Sequence, residues 1–196
     1  MTDTCIRIFV DVETTALATE KGEIIDVAFL VEEVQKPFVL PGKIISQWSQ
    51  KVLPEHIETA EPRALEVNGY TPEAWKDAVP FENVIPKLME IFSTKGTWIG
   101  HNPQFDRNHI VYGLAIHGRN VERPDRHRLI DTTTVAYLAW GLNGSVSMSM
   151  NNLRKILGLS TDGAHGALKD CFDAREVFYK GLRYTAATLM TQFVDA

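Results

Sequence analysis

Apolar and β-branched residues cluster in three early runs: Cys5 to Val12, Glu23 to Val34 (EIIDVAFLVEEV) and Lys43 to Val52 (KIISQWSQKV). Such runs predict strands. Turn signals separate them, at Thr19-Glu20-Lys21-Gly22 and at Pro41-Gly42. Short turns between consecutive strands favour antiparallel pairing. The period then changes. Pro62 to Val67 predicts a short helix ended by Gly69, and Thr71 stands where it would cap a helix begun by Pro72. Phe81 to Phe92 predicts a longer helix with Val84, Leu88, Ile91 and Phe92 on one face, and Pro86 is tolerated because it lies near the start. Short apolar strands follow at Thr97 to Gly100 and Arg128 to Asp131. Helices are expected over Gln104 to His117, Thr132 to Trp140 and Asn152 to Leu157, the last closed by Gly158. In the final helix, from about Gly166 to about Met190, residues Ala167, Cys171, Ala174, Phe178 and Leu182 form one apolar stripe of helical period. Three strands first, then helices alternating with single strands, predict an α/β sandwich.

The chain has 196 residues, which suits one domain spanning 1–196. Its 44% hydrophobic and 23% charged residues allow a buried core and exclude a disordered chain. Cys5 and Cys171 stand far apart. That argues against a disulfide framework or zinc knuckle and makes a reducing, cytoplasmic setting the default. Arg7 interrupts the first apolar run, so no signal peptide is expected, and no run reaches the length of a membrane span. Asn143-Gly144-Ser145 fits a glycosylation pattern but is expected to be an ordinary turn. The net charge of −5 argues against a broad basic face that coats duplex DNA. It does not exclude a nuclease. Neutralising four carboxylates with divalent metals brings the 25 acidic residues close to balance with the 20 basic ones.

Asp11 and Glu13 lie two residues apart at the end of the first strand, so they share a face. Two carboxylates on an otherwise apolar strand are costly unless neutralised, and a hard divalent cation suits oxygen ligands. Alone, so common a pair reads better as a solvated strand end. Asp106 falls in the first turn of a helix, where the dipole also favours a carboxylate, and Asn102 is placed to cap that helix. His165 and Asp170 flank the start of the last helix, Asp170 beside the apolar stripe. Together these form a set of four carboxylates and one histidine. Two-metal phosphoryl transfer needs such a set: the cations clamp the attacking and leaving oxygens, and a base near neutrality deprotonates water. The basic stretch His117 to Arg128 could touch a phosphate backbone or be a solvated loop. No Walker A, Gly-x-Ser-x-Gly or His-Glu-x-x-His motif occurs.

Three segments then stand out in order: Asp11-Val12-Glu13-Thr14-Thr15, His101-Asn102-x-x-Phe105-Asp106 and His165-x-x-x-x-Asp170. They resemble the three motifs of the DEDDh (DnaQ-like) 3′→5′ exonuclease family. Ile24-Ile25-Asp26-Val27, Val67-Asn68-Gly69-Tyr70-Thr71, Ile130-Asp131-Thr132 and Ala164 to Cys171 resemble the family's intervening segments. The resemblance implies a ribonuclease-H-like fold: a five-stranded mixed sheet, three antiparallel strands then two parallel, flanked by helices. It implies release of 5′-mononucleotides from the 3′ end of single-stranded or frayed DNA, with RNA as the alternative. Two divalent cations are implied, Mg2+ with Mn2+ as a substitute. Asp11, Glu13 and Asp170 would hold the first cation, Asp11 would bridge to the second, Asp106 would support it, and His165 would be the general base. Leu17 and Val67 match positions against the terminal base. Thr14, Thr15 and Asn68 match positions near its sugar and phosphate, with Asn102 beside them. Ala16 stands where the family has glycine, Asn68 where histidine is common, and Tyr70 where the family is aliphatic. These departures bear on DNA against RNA, not on the metal ligands. The resemblance leaves three partners open: a nucleic-acid 3′ end, a polymerase, or a second copy of the chain. Two other readings stand beside the exonuclease. One is a non-catalytic module of the same fold, which retention of all five residues argues against. The other is a metallohydrolase acting on small phosphoesters.

Overall fold

The structure is a computed structural model and describes residues 4–36, 40–121, 128–141 and 147–194, with side chains to residue 190. Five strands form one sheet: β1 (Thr4–Thr14), β2 (Ile24–Gln35), β3 (Lys43–Lys51), β4 (Thr97–Gly100) and β5 (Arg128–Asp131). Their order is β3-β2-β1-β4-β5. The first three pair antiparallel, whereas β4 and β5 run parallel to β1. This is the mixed sheet, three antiparallel strands then two parallel, that the family resemblance implies. The helices are α1 (Pro62–Val67), α2 (Phe81–Ser93), α3 (Pro103–Ile116), α4 (Thr132–Ala136), α5 (Met150–Leu157) and α6 (Ala167–Val194).

The alternation along β1 divides the core. Ile8, Val10 and Val12 face α2 and α3, meeting Leu88, Ile91, Ile110 and Leu114. Phe9 faces α6 with Ala28, Leu30 and Ile99, against Ala167, Cys171, Ala174 and Phe178. Asp11 and Glu13 continue the Phe9 side by the same two-residue period. The stripe on α6 thus brings that helix, with Asp170 in its first turn, to the face carrying both strand carboxylates. A buried polar cluster fastens α6 there. Arg7 donates to the Tyr179 hydroxyl (2.6 Å), Tyr179 donates to Glu32, and Arg175 donates to Glu32 (2.6 Å). Cys171 packs in this core, its thiol donating weakly to the carbonyls of Phe9 and Ala28, each at 3.6 Å.

Two expectations change. Residues 72–77 form consecutive turns, not a helix. Thr71 Oγ1 still accepts from Ala74 N (3.1 Å), but the Trp75 indole donates to Ile25 O (2.7 Å) and Val79 bridges to Val52. Both anchors fix the segment to the sheet before a full helical turn can form. The helix expected over Thr132 to Trp140 keeps α-helical form only to Ala136, then widens into a π-turn over Tyr137–Gly141. The threonines and Val135 lie in the part that stays α-helical, and the widened segment ends at Gly141, where a Cβ would meet the Tyr137 ring at 2.7 Å. No helix among the described residues is long and apolar enough to cross a membrane. Residues 122–127 of the basic stretch, and the Asn143 to Ser145 turn, lie outside the described residues.

Candidate active site

β1 outruns its parallel neighbour. It pairs with β4 only from Arg7 to Phe9, so the edge beyond has no strand to receive its amides. Asp106 fills that gap: its Oδ1 accepts the Val12 N–H at 2.8 Å. The helix carrying Asp106 is set by the turn before it. Asn102 adopts a left-handed backbone (φ 72°) at the start of α3, and its N–H donates to Asp131 Oδ1 at 3.0 Å. Its side chain makes no cap hydrogen bond, unlike the expected N-cap. The same Asp131 carboxylate caps α4 through Thr133 N (2.8 Å), so one residue ties the end of β5 to both helix starts.

His165 precedes α6 in a tight turn in which Gly166 N donates to Gly163 O at 3.1 Å. Its φ is 65°. Among the described residues, only His165 and Asn102 are non-glycine residues with a left-handed backbone. Such conformations cost about 1–3 kcal/mol and gather at functional sites. One ligand atom each from Glu13, His165 and Asp170 lies within 4.8 Å of the other two. Asp11 and Asp106 lie outside that trio but close enough to act on it electrostatically.

The electrostatics are those of a site short of positive charge. Burial, then Asp106, Glu13, Asp170 and Asp26, raises the Asp11 carboxyl well above its ordinary value. Burial, then Asp170, Asp26 and Asp106, pushes Glu13 up to about 8. Asp106 reaches about 8 through burial, although the Val12 amide pulls it down. Asp170 is raised by burial, against the pull of Arg154 and His165. Asp11 Oδ2 is shut from solvent and has no hydrogen-bond partner. An orphaned buried carboxylate oxygen amid three more carboxylates is the donor set of a hard divalent cation. The residues therefore fit such an ion.

A cavity of about 300 Å³ opens beside this cluster, lined by Glu13, Thr14, Leu17, Val67, Asn68 and Phe105, with Glu61 and Arg63 at its rim. Four of the residues expected at the terminal nucleotide thus come together. Asn68 Nδ2 donates to Thr14 O (2.9 Å), which ties α1 to the end of β1. Thr15, Ala16 and Asn102 do not line that cavity. Thr15 Oγ1 accepts from Glu23 N (2.9 Å). Ala16 is buried, and a Cβ on Gly22 would lie 2.3 Å from its carbonyl oxygen. A larger cavity, about 490 Å³, lies across that loop and contains none of the five expected catalytic residues. On its wall His117 lies 3.1 Å from Glu55 and 3.8 Å from Glu82, and these three form a second cluster of possible ligand atoms, distinct from Glu13, His165 and Asp170.

A family model described as exonuclease, of the RNase T type, matches residues 8–178. The chain belongs to this exonuclease family. The DNA polymerase III subunit epsilon of Aquifex aeolicus (strain VF5) is 25% identical over 174 residues, which is 88% of this chain and 78% of that protein. In fold, the exonuclease resembles E. coli Exonuclease I in complex with a dT13 oligonucleotide, with TM-score 0.77 and 15% identity. The match covers 96% of this chain but only 43% of Exonuclease I. A zinc-bound complex of the E. coli enzyme with single-stranded DNA matches with TM-score 0.71 and 16% identity, over 95% of this chain and 43% of that one.

Two residues at the candidate site are given no role by the sequence motifs, although Asp26 lies in the resembling segment Ile24 to Val27. Asp26 Oδ2 on β2 accepts the Ala167 N–H at 3.2 Å, so a strand carboxylate fixes the start of α6. Arg154 on α5 is fully buried and donates to Asp170. A carboxylate inside the apolar run Ile24 to Leu30 is a faint signal for the first. Nothing in the local sequence marks the second.

Proposed function

We propose that this exonuclease hydrolyses nucleic acid from the 3′ end and releases 5′-mononucleotides, with single-stranded DNA as substrate. One observation carries the reading: Glu13 belongs both to the cluster with His165 and Asp170 and to the wall of the cavity. A terminal nucleotide seated in the cavity would therefore present its phosphate to the carboxylates. At about 300 Å³ the cavity is at the small end of ligand sites, which suits one nucleotide better than a duplex.

Asp11, Glu13 and Asp170 would hold one divalent cation, and Asp11 with Asp106 a second. Mg2+ is the expected ion and Mn2+ its substitute. Bound there, the pair would neutralise the phosphate and the oxygens that attack and leave. His165 takes a proton from the attacking water. The water oxygen adds to phosphorus, the bond to the 3′ oxygen of the next nucleotide breaks, and that oxygen is reprotonated from solvent. Leu17, 75% exposed, stands ready to pack against the last base with Val67 and Phe105. Packing of this kind tolerates any base. Arg63 at the rim offers the strand a positive charge. The two free cysteines suit a reducing, cytoplasmic setting. A polymerase or a second copy of the chain remains the partner in view; the relative from Aquifex aeolicus is a polymerase subunit.

The test uses single-stranded DNA and RNA oligonucleotides labelled at the 5′ end. The label should persist on a ladder that shortens from the 3′ end with Mg2+ present. Chelation, or Asp11→Asn in a folded protein, should stop it. Early loss of the 5′ label, or full activity in excess chelator, overturns the proposal. Faster digestion of RNA than DNA would overturn the substrate alone.

A further inference from the structure

Arg154 is an unusual arginine. It lies on an eight-residue helix, α5, yet is fully buried and touches only polar groups from α5 and α6 in the hydrogen bonds it makes. Nη2 donates to Asp170 Oδ1. Nε donates to Asp173 Oδ2 at 2.7 Å. Nη1 donates to Asn151 Oδ1 at 2.8 Å. Lys169 closes the cluster from the far side of Asp173. Two cations thus meet two carboxylates, which makes a buried group of this size tolerable.

The geometry matters more than the charge. The Nε and Nη2 edge of a guanidinium usually grips one carboxylate with both nitrogens. Here the edge is divided between two carboxylates one helical turn apart on α6. A planar, rigid fork fixes both at a set spacing, which a lysine ammonium cannot do. Asp173 and Asn151 anchor the fork, and Asp170 is the one carboxylate it holds that also belongs to the cluster with Glu13 and His165. The grip engages Oδ1 of Asp170 and leaves Oδ2 free of it.

We propose that Arg154 is a positioning residue: it locks the Asp170 carboxylate so that its other oxygen is presented to a divalent cation. The proposal rests on Asp170 being a metal ligand. Removing the partner that orients a ligand typically costs about 10–100-fold in metal affinity or activity. Arg154→Lys keeps the buried charge and loses the fork.

Mn2+ binding is measured by titration calorimetry on wild type, Arg154→Lys and Asp173→Asn, with turnover followed against Mg2+. Arg154→Lys should bind Mn2+ about 10–100-fold more weakly. Its turnover should recover at raised Mg2+, and its KM for oligonucleotide should stay near wild type. Asp173→Asn removes the anchor and spares the contact with Asp170, so it should shift binding in the same direction by less. A folded Arg154→Lys whose Mn2+ affinity matches wild type overturns the proposal. If that variant does not fold, Asp173→Asn decides, and unchanged affinity there overturns it. Wild type that binds no Mn2+ would instead remove the metal-dependent reading on which the proposal rests.

Discussion

Asp106 completes the edge of β1 and is also a ligand in the proposed metal site, and two substitutions separate these roles. Asp106→Asn keeps an oxygen that can accept from Val12 N, whereas Asp106→Ala leaves that amide buried and unpaired. Both variants lose the carboxylate charge, so the difference between them isolates one hydrogen bond. An orphaned buried donor costs about 1–3 kcal/mol. With a urea slope of about 2.5 kcal/mol per molar, the alanine variant should unfold roughly 0.4–1.2 M earlier than the asparagine variant. The comparison is made in chelator at pH 8, with the fluorescence of buried Trp98 as the probe. There the asparagine variant should be at least as stable as wild type. Burial raises the native carboxyl to about 8, which means the folded protein accommodates its charge poorly. Both variants should be inactive. Coincident unfolding curves for the two would falsify the dual role.

Two further outcomes are expected. Glu13 rises from its ordinary value of 4.5 to about 8, and Asp11, Asp106 and Asp170 rise with it, so the folded chain holds more protons than the unfolded one across that range. Stability without metal is then greatest below the ordinary carboxylate range and is lost as pH climbs to about 8, so Mn2+ should raise the melting temperature far more at pH 8 than at pH 5. An equal rise at both pH values would contradict the carboxylate site. His165→Gln should lower kcat by about 10²–10⁴-fold and leave Mn2+ affinity within a few-fold, as the proposed general-base role requires. A large loss of Mn2+ affinity would make His165 a ligand.

The legible parts of the sequence were those whose local pattern demands an explanation. Two carboxylates on the last pleats of an apolar strand, and an acid beside the stripe of α6, do not suit a plain core. The strands read well for the same reason, since β1 and β2 are buried over most of their length. Arg154 was invisible because its partners lie 16 and 19 residues away and meet it only when α5 packs on α6. Asn102 misled in a different way. A residue before a helix invites a side-chain cap, but here the left-handed turn gives its amide to Asp131 and leaves the side chain out of the cap. Thr15 and Ala16 sit next to Thr14 in sequence, yet the β1–β2 turn spends one hydroxyl on Glu23 and buries the other residue against Gly22. Adjacency along the chain did not become adjacency in the cavity.

The overhang of β1 has a consequence for the newly made chain. Asp106 supplies the acceptor for Val12 from 94 residues further on, and Ala167, which Asp26 holds, is 141 residues beyond its partner. Closing loops of that length is slow compared with local helix formation. During synthesis the strand carboxylates therefore wait, unmatched, until the last helix docks. A nascent chain holds half of the carboxylate cluster and none of its geometry. The four carboxylates therefore come together only once α6 has docked on the sheet.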